Sequence, residues 1–338
     1  MLLTASGAPG TAALARALRE NGERTVRVVG TDMSELSIGR HLLDGFHVTP
    51  AGTDADFADA IRRVCERERV DAVIPQSSYE LEALAEARDD FGDTRVLVAA
   101  PDAVRRSNDK AASYALLDAI GVRGPAWRRV RGVEAIAAAA RELGYPGDDV
   151  AFKPLVSSGS RGFRVISASA DRREQLFENR PGVAEALRLE ELVELLGDDD
   201  TEVLVMELAR GGERTIDGIS ARGEILLGHA KTREAMRAGL AMYFRTLDDT
   251  ELMETARKIV AELRLDHFFN IQLVGDAVIE INPRISTIVY QEDLNLPYLG
   301  VKHALGEIEP AELASWASRV RPSRNALRYF DQVEWDSE

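Results

Sequence analysis

Phe269-Asn270-Ile271-Gln272-Leu273-Val274-Gly275-Asp276-Ala277-Val278-Ile279-Glu280-Ile281-Asn282-Pro283-Arg284 reads as two apolar strands around a Gly-Asp turn, with polar residues set into them at alternate positions. A strand turns successive side chains to opposite faces, so Glu280 and Asn282 project to one side while Ile279 and Ile281 face a core. The position of Gln272 depends on the turn. A three-residue loop that pairs Val274 with Val278 sets Gln272 opposite Glu280. A two-residue loop turns Gln272 the other way, with Ile279. The first register gathers oxygen ligands on one face, as Mg2+ requires. A solvent-facing polar strand is the plain alternative. It does not explain three polar residues in such apolar strands, nor the proline and arginine that follow.

Two upstream stretches carry related chemistry. Phe152-Lys153-Pro154-Leu155-Val156-Ser157-Ser158-Gly159-Ser160-Arg161-Gly162-Phe163 places a lysine near the end of a strand and a Ser/Gly loop after it. Such a loop lets backbone N–H groups approach a phosphate closely, and the lysine adds a point charge. The bland reading is a hairpin loop with a surface lysine, but a lysine within an apolar strand is costly unless it faces a partner. Val203-Leu204-Val205-Met206-Glu207-Leu208-Ala209 is an apolar strand running into a connector that ends at Gly211-Gly212-Glu213. The connector can offer backbone groups to adenine, and Glu213 can accept from ribose hydroxyls. Many strands end in Glu-Leu, so alone this stretch is generic.

The first hundred residues alternate strand and helix patterns. Leu2–Ala5, Val26–Val29, Val70–Pro75 and Val96–Ala100 read as strands, and Thr11–Glu20, Phe57–Arg69 and Glu80–Arg88 as helices. This alternation predicts a parallel sheet covered by helices. Ser6-Gly7-Ala8-Pro9-Gly10 follows the first strand, and Asp32 ends the second, where a dinucleotide site would hold its ribose acid. The spacing is G-x-x-G rather than G-x-G-x-x-G, which favours a tight turn or part of a substrate pocket. Helices are predicted at Asp109–Ile120, Val133–Leu143 and Thr250–Leu263. Strands are predicted at Val150–Pro154, Gly162–Ser167, Val203–Leu208, Arg214–Ser220, Glu224–Ala230, Met242–Thr246, His267–Val274, Ala277–Ile281 and Ala326–Phe330.

The net charge of −15 argues against nucleic acid as the main partner, since phosphate-backbone binding needs a basic face. No apolar run approaches the ~18 residues needed to span a bilayer. The N-terminus lacks a signal-peptide pattern, so a cytoplasmic location is expected. The single cysteine, Cys65, excludes an internal disulfide framework and a cysteine-based zinc site. Five lysines against 37 arginines make each lysine conspicuous: Lys110, Lys153, Lys231, Lys258 and Lys302.

Taken in order, these stretches resemble the ATP-grasp superfamily, and within it the carbamoyl-phosphate-synthase-like carboxylate–amine ligases. The resemblance implies an α/β fold with an α+β grasp: an N-terminal parallel α/β domain (1–105), a lid subdomain with the phosphate loop (106–205) and a C-terminal subdomain with the metal site (206–338). It further implies ATP and Mg2+ (or Mn2+) as cofactors. Lys110, in Asn108-Asp109-Lys110, and Lys153 match cations on ATP phosphates. Ser157, Ser158, Gly159, Ser160 and Gly162 match the phosphate loop. Glu207, Leu208 and Ala209 match the adenine connector, and Glu213 the ribose acid. Gln272, Glu280 and Asn282 match metal ligands, and Arg284 an arginine beside the transferred phosphate.

Lys231 and Arg237 are further candidates for phosphate or substrate, against a solvated basic loop; Asp217 is expected near the nucleotide or metal, and of the five histidines, which do not cluster, only His229 is a candidate for the site's surroundings. The implied reaction activates a carboxylate as an acyl phosphate for attack by an amine. The expected partners are small-molecule carboxylate and amine substrates, not nucleic acid or membrane; a homodimer is an expectation from the family alone. The chain holds one grasp unit, so carbamoyl phosphate synthesis is not expected. Two rival readings are a non-catalytic nucleotide-binding protein and an NAD-dependent dehydrogenase; the second leaves residues 150–290 unexplained.

Overall fold

Five short strands make the first sheet: β1 (Leu2–Leu3), β2 (Val29–Asp32), β3 (Gly45–Val48), β4 (Ala72–Ile74) and β5 (Arg95–Val96), all parallel in the order β3-β2-β1-β4-β5. The computed structural model describes residues 1–155, 162–171, 173, 175, 177, 186–237, 240–287 and 293–336. Parallel strands need crossovers, and helices Thr11–Arg19, Phe57–Glu68 and Leu81–Ala87 supply them. The strand predicted at Val26–Val29 begins only at Val29, although Val26 and Val28 are buried. Here the apolar run marks the core rather than the ladder. β3 escapes the pattern because it is a half-exposed edge strand without a continuous apolar run.

The second sheet contains β6 (Trp127–Arg131), β7 (Val150–Pro154), β8 (Arg164–Ile166), β9 (Ala186–Leu187) and β10 (Glu202–Glu207), in the order β6-β10-β7-β8-β9. β6 is a sheet edge, and its sequence Trp-Arg-Arg-Val-Arg carries the charge that edges use against unwanted pairing. Its arginines reach Glu142, Glu202 and Asp200. Helices Val133–Glu142 and Leu189–Leu196 pack their apolar faces on Val150, Ile166, Val203 and Val205.

The third sheet is antiparallel: β11 (Glu213–Ala221), β12 (Glu224–Arg237), β13 (Leu240–Leu247), β14 (His267–Val274), β15 (Ala277–Asn282) and β16 (Asn325–Leu327), ordered β15-β14-β11-β12-β13-β16. Helix Thr250–Leu263 lies over it, capped by the Asp249 carboxylate, which accepts from Leu252 N at 3.0 Å. Leu252, Ala256, Ile259, Val260 and Leu263 form its buried stripe at helical spacing.

The expected boundaries at 105 and 205 fall inside helix Pro101–Asn108 and inside β10. Residues 101–119 join the units rather than divide them. One core runs from Val104, Tyr114 and Leu117 into Ile271, Val278 and Ile281. The parallel α/β domain followed by a two-part grasp is the observed architecture.

Candidate active site

Neither turn register foreseen for the β14–β15 hairpin is the observed one. The loop has two residues, since Val274 pairs with Ala277, yet Gln272 lies opposite Glu280. A β-bulge reconciles the two: the register shifts past Leu273, leaving Ile279 as the extra residue. Gly275 opens the turn with φ 58°, and a Cβ there would come 2.4 Å from the Arg210 carbonyl oxygen. The connector 208–212 therefore packs directly on the turn, with Gly275 N donating to the Gly212 carbonyl at 3.1 Å.

Strand pairing then assembles one polar face. Asp217 stands opposite both His229 and Asn270, and Thr215 opposite both Lys231 and Gln272. All of these except Gln272 are buried. Lys231 Nζ lies 2.7 Å from Asp217 Oδ2. Asn270 Nδ2 donates to Asp217 Oδ1 at 2.8 Å and to Thr215 Oγ1 at 2.5 Å. Its own Oδ1 accepts from Gln272 Nε2 at 3.0 Å and Asn282 Nδ2 at 3.2 Å. Gln272 Oε1 accepts from Arg233, which also lies 3.5 Å from Glu213. Burial holds the Lys231 ammonium below its ordinary range, opposed by Asp217. Burial, with Lys231 adding to it, lowers His229 to about 4, so its imidazole is neutral near pH 7.

Glu280 and the cations face this network from two sides. Lys110 Nζ is 3.9 Å from Glu280 Oε1. Lys110 and Lys153 are both buried. Burial lowers Lys110, with Glu280 opposing. Burial, reinforced by the neighbouring Lys110 charge, brings Lys153 down to about 7. Lys153 Nζ donates to Tyr114 Oη at 2.9 Å, and Tyr114 donates on to the Ile279 carbonyl at 3.0 Å. Arg284 Nε donates to Ser78 Oγ at 3.3 Å and Nη1 to the Ile285 carbonyl at 2.9 Å. Burial pulls its guanidinium below the usual value, opposed by Glu280, Glu80 and Asp217. The buried Glu80 carboxylate fixes the Ser78 loop, accepting from Gln76 N and Ser77 N, each at 2.8 Å, and from Thr4 Oγ1 at 2.7 Å.

Lys110, Lys153, Lys231, Gln272, Glu280 and Arg284 line one cleft of about 1260 Å³ that takes residues from all three sheets, and Asp217, His229 and Asn282 are buried outside its lining. Leu208, Ala209 and Glu213 line it from the connector, and Gly7, Pro9 and Asp32 from the first domain. The Ser6–Gly10 turn is tied to the second strand: Gly7 N donates to Asp32 Oδ2 at 2.7 Å. Glu207 lines the cleft, but its carboxylate is bound by Arg123 at 2.9 Å and by Ala126 N at 3.1 Å. Gly162 takes φ 71°, and a Cβ there would meet Pro154 at 2.7 Å, so the chain returns tightly over the end of β7. Ser157, Ser158, Gly159 and Ser160 lie outside the described residues.

Arg237 is not brought to the cleft; it is exposed and lies over the Phe330 ring at 4.8 Å. Ala235, with φ 50°, interrupts the strand alternation between Arg233 and Arg237. Residues not singled out as site candidates are Tyr114, Thr215, Arg233, Asn270, Ser78 and Glu80. Asn270 had a signal, since it sits at the same parity as Gln272. Tyr114 had none, because its partner is a main-chain carbonyl.

Residues 1–99 match the family described as "PylC-like, N-terminal domain", and residues 199–325 the family "ATP-grasp in the biosynthetic pathway with Ter operon". The chain is 24% identical over 280 residues to the mitochondrial arginine-specific carbamoyl phosphate synthase large chain of Neurospora crassa, covering 77% of this chain and 21% of that protein. It is 26% identical over 290 residues to the arginine-specific large chain of Bacillus subtilis, covering 80% and 25%. The chain thus spans about a fifth to a quarter of these relatives' length.

Among solved structures, the biotin carboxylase domain dimer of 2-oxoglutarate carboxylase from Hydrogenobacter thermophilus, in complex with MgADP, ADP and bicarbonate, superposes with TM-score 0.66 at 16% identity, covering 96% of this chain and 72% of that one. An L-amino acid ligase from Bacillus licheniformis gives 0.65 at 16% identity, covering 96% and 78%.

Proposed function

Because the chain belongs to the ATP-grasp superfamily, we propose that it is an ATP-dependent ligase that activates a small carboxylate as an acyl phosphate for attack by an amine, releasing ADP and phosphate. The observation that carries this reading is the convergence of Glu280 with Lys110, Lys153 and Arg284 in one cleft, with the buried Asn282 two residues on along the same strand. A lone carboxylate with amide oxygens suits Mg2+, which takes one or two protein carboxylates and completes its shell with phosphates and water. The fit is better for Glu280 and Asn282 than for Gln272. Asn282 spends its N–H on Asn270 and keeps its oxygen, whereas the Gln272 oxygen already accepts from Arg233. We assign Gln272 to holding the face in register, with Glu280 and Asn282 as the metal ligands.

Bound Mg2+ supplies Lewis-acid stabilisation of the phosphoryl oxygens. Lys110 and Lys153 neutralise the phosphate chain from the lid side. Arg284, held by Ser78, orients the carboxylate against the γ-phosphate and meets the charge that develops there. Leu208 and Ala209 offer backbone groups to the base, and Glu213 accepts from the ribose. Lys231 is assigned to structure: its ion pair with Asp217 anchors Asn270 beneath the metal face. The catalytic reading is favoured over passive nucleotide binding because the cations and the carboxylate stand together in the cleft. The dehydrogenase reading is not favoured: it leaves residues 150–290 unexplained, and the Asp32 oxygens already accept from Gly7 N and Ser34 N at the turn.

The test is ATP carrying 18O in its β,γ-bridge, incubated with a panel of carboxylic acids without amine. A competent acid scrambles the bridge oxygen, and adding an amine then releases ADP. Scrambling without any acid, or ADP formation that ignores both acid and amine, sinks the reading.

A further inference from the structure

We infer that Tyr114 is a positioning residue that registers the lid cation Lys153 on the metal strand, through the carbonyl of the bulged residue Ile279. This rests on the nucleotide reading above. A tyrosine hydroxyl has one proton to give and lone pairs to receive with. Tyr114 gives its proton to the Ile279 carbonyl at 3.0 Å, so its oxygen faces Lys153 Nζ, 2.9 Å away, as an acceptor. The chain of donors runs one way, from the ammonium through the phenol to the main chain. That orientation favours the protonated lysine, which burial alone disfavours.

The acceptor belongs to the bulged residue. In a regular three-residue-loop hairpin, Ile279 would pair opposite Leu273. Bulged, Ile279 falls outside the β14 pairing, and its carbonyl takes the tyrosine proton. Tyr114 is rigid enough for the task. It is almost fully buried, one turn after Lys110 on the same helix, and its ring lies 6.3 Å from Trp127 and beside Met206. Three separate elements thus meet at one hydroxyl: the helix that carries Lys110, the lid strand that carries Lys153, and the strand that carries Glu280.

Tyr114→Phe keeps the ring and removes the hydroxyl. In the full-length chain with Mg2+, ATP affinity is expected to fall about tenfold to a hundredfold, the range for a hydrogen bond to a charged group. In a Lys153→Ala background the same change is expected to have no further effect on ATP affinity. A packing role would lower affinity equally in both backgrounds, and that result overturns the inference, as does wild-type affinity in Tyr114→Phe. A second readout needs no nucleotide: the pH midpoint for modification of Lys153 by an amine-reactive reagent, followed by peptide mass. Loss of the phenol is expected to move that midpoint down by about one unit, a tenfold change in proton affinity. An unmoved midpoint overturns the inference even if ATP binds. If the wild type fails to bind ATP while the midpoint shifts as expected, the ligase reading falls and the Tyr114–Lys153 coupling stands.

Discussion

On β11, β12, β14 and β15 the polar side chains are tied to one another across neighbouring strands. Asp217, Thr215, Asn270, Gln272 and Asn282 share donors and acceptors in one connected set, with Lys231 closing it at 2.7 Å from Asp217. On β7 the situation is the reverse. Lys153 sits in a strand of Val150, Ala151, Phe152 and Pro154, and its hydrogen bond goes to a residue outside its own sheet. The first region is preorganised: its geometry is settled before any ligand arrives. The second carries a desolvated cation, poised for an anion to restore its charge. Two ways of burying charge meet in one cleft, and they should respond differently to mutation and to pH.

The largest effect is expected at the boundary between them. Glu280→Ala should lower ADP formation by at least about a thousandfold while the fold survives, since a metal contributes several kcal/mol to the developing charge. Near-normal turnover, read as ADP released with a competent acid, would remove Glu280 from the metal site. Next, Asp217→Asn leaves Lys231 buried without its counter-ion. It should destabilise the chain by about 3–5 kcal/mol in a denaturant titration. A loss under 1 kcal/mol would show that the network is not the rigid half of the comparison.

The lid side is tested by protons. The ordinary lysine value is 10.5, and the apo folded chain holds Lys153 near 7, so at pH 8 most of this site has lost its proton. An incoming phosphate favours the charged form. ATP binding at pH 8 should therefore take up close to one proton, and at pH 6 almost none, as measured by calorimetry in buffers of different ionisation heat. For folding the sign is opposite to that of a salt bridge. The unfolded chain binds this proton more tightly, so the burden of burying Lys153 is greatest below about pH 7 and fades as pH rises towards 10.5. Lys153→Met should accordingly gain more stability at pH 6 than at pH 9.

The smallest effect is expected at Arg123. Its pairs with Glu207 and Asp276 lie on the open surface, so Arg123→Ala should change stability by about 0–1 kcal/mol.

What the sequence revealed follows from the kind of signal each feature leaves. Helix Thr250–Leu263 and strand β14 were readable to the residue, because their apolar spacing is dense and their ends are marked by Asp249 and by Gly275. β6 was not, because an edge strand of arginines lacks an apolar face. The site's polar residues were mostly readable because strand parity groups them, as with Glu280 and Asn282. Arg237 was a candidate from the resemblance and not from parity, and the left-handed Ala235 interrupts the strand between it and Arg233. Tyr114 was invisible for a different reason. Its role depends on a main-chain carbonyl, and no side-chain pattern records which carbonyls a bulge leaves outside the ladder.

That bulge has a further consequence for how loop length is compared between relatives. A hairpin with two loop residues and one bulged residue sets Gln272 opposite Glu280, and so does a hairpin with three loop residues and no bulge. The two are equal in chain length and in setting Gln272 opposite Glu280. They differ by a single acceptor atom, and here that atom is in use. Moving one residue from the strand to the turn would be silent in an alignment, yet it would change the backbone at the residue whose carbonyl anchors Tyr114.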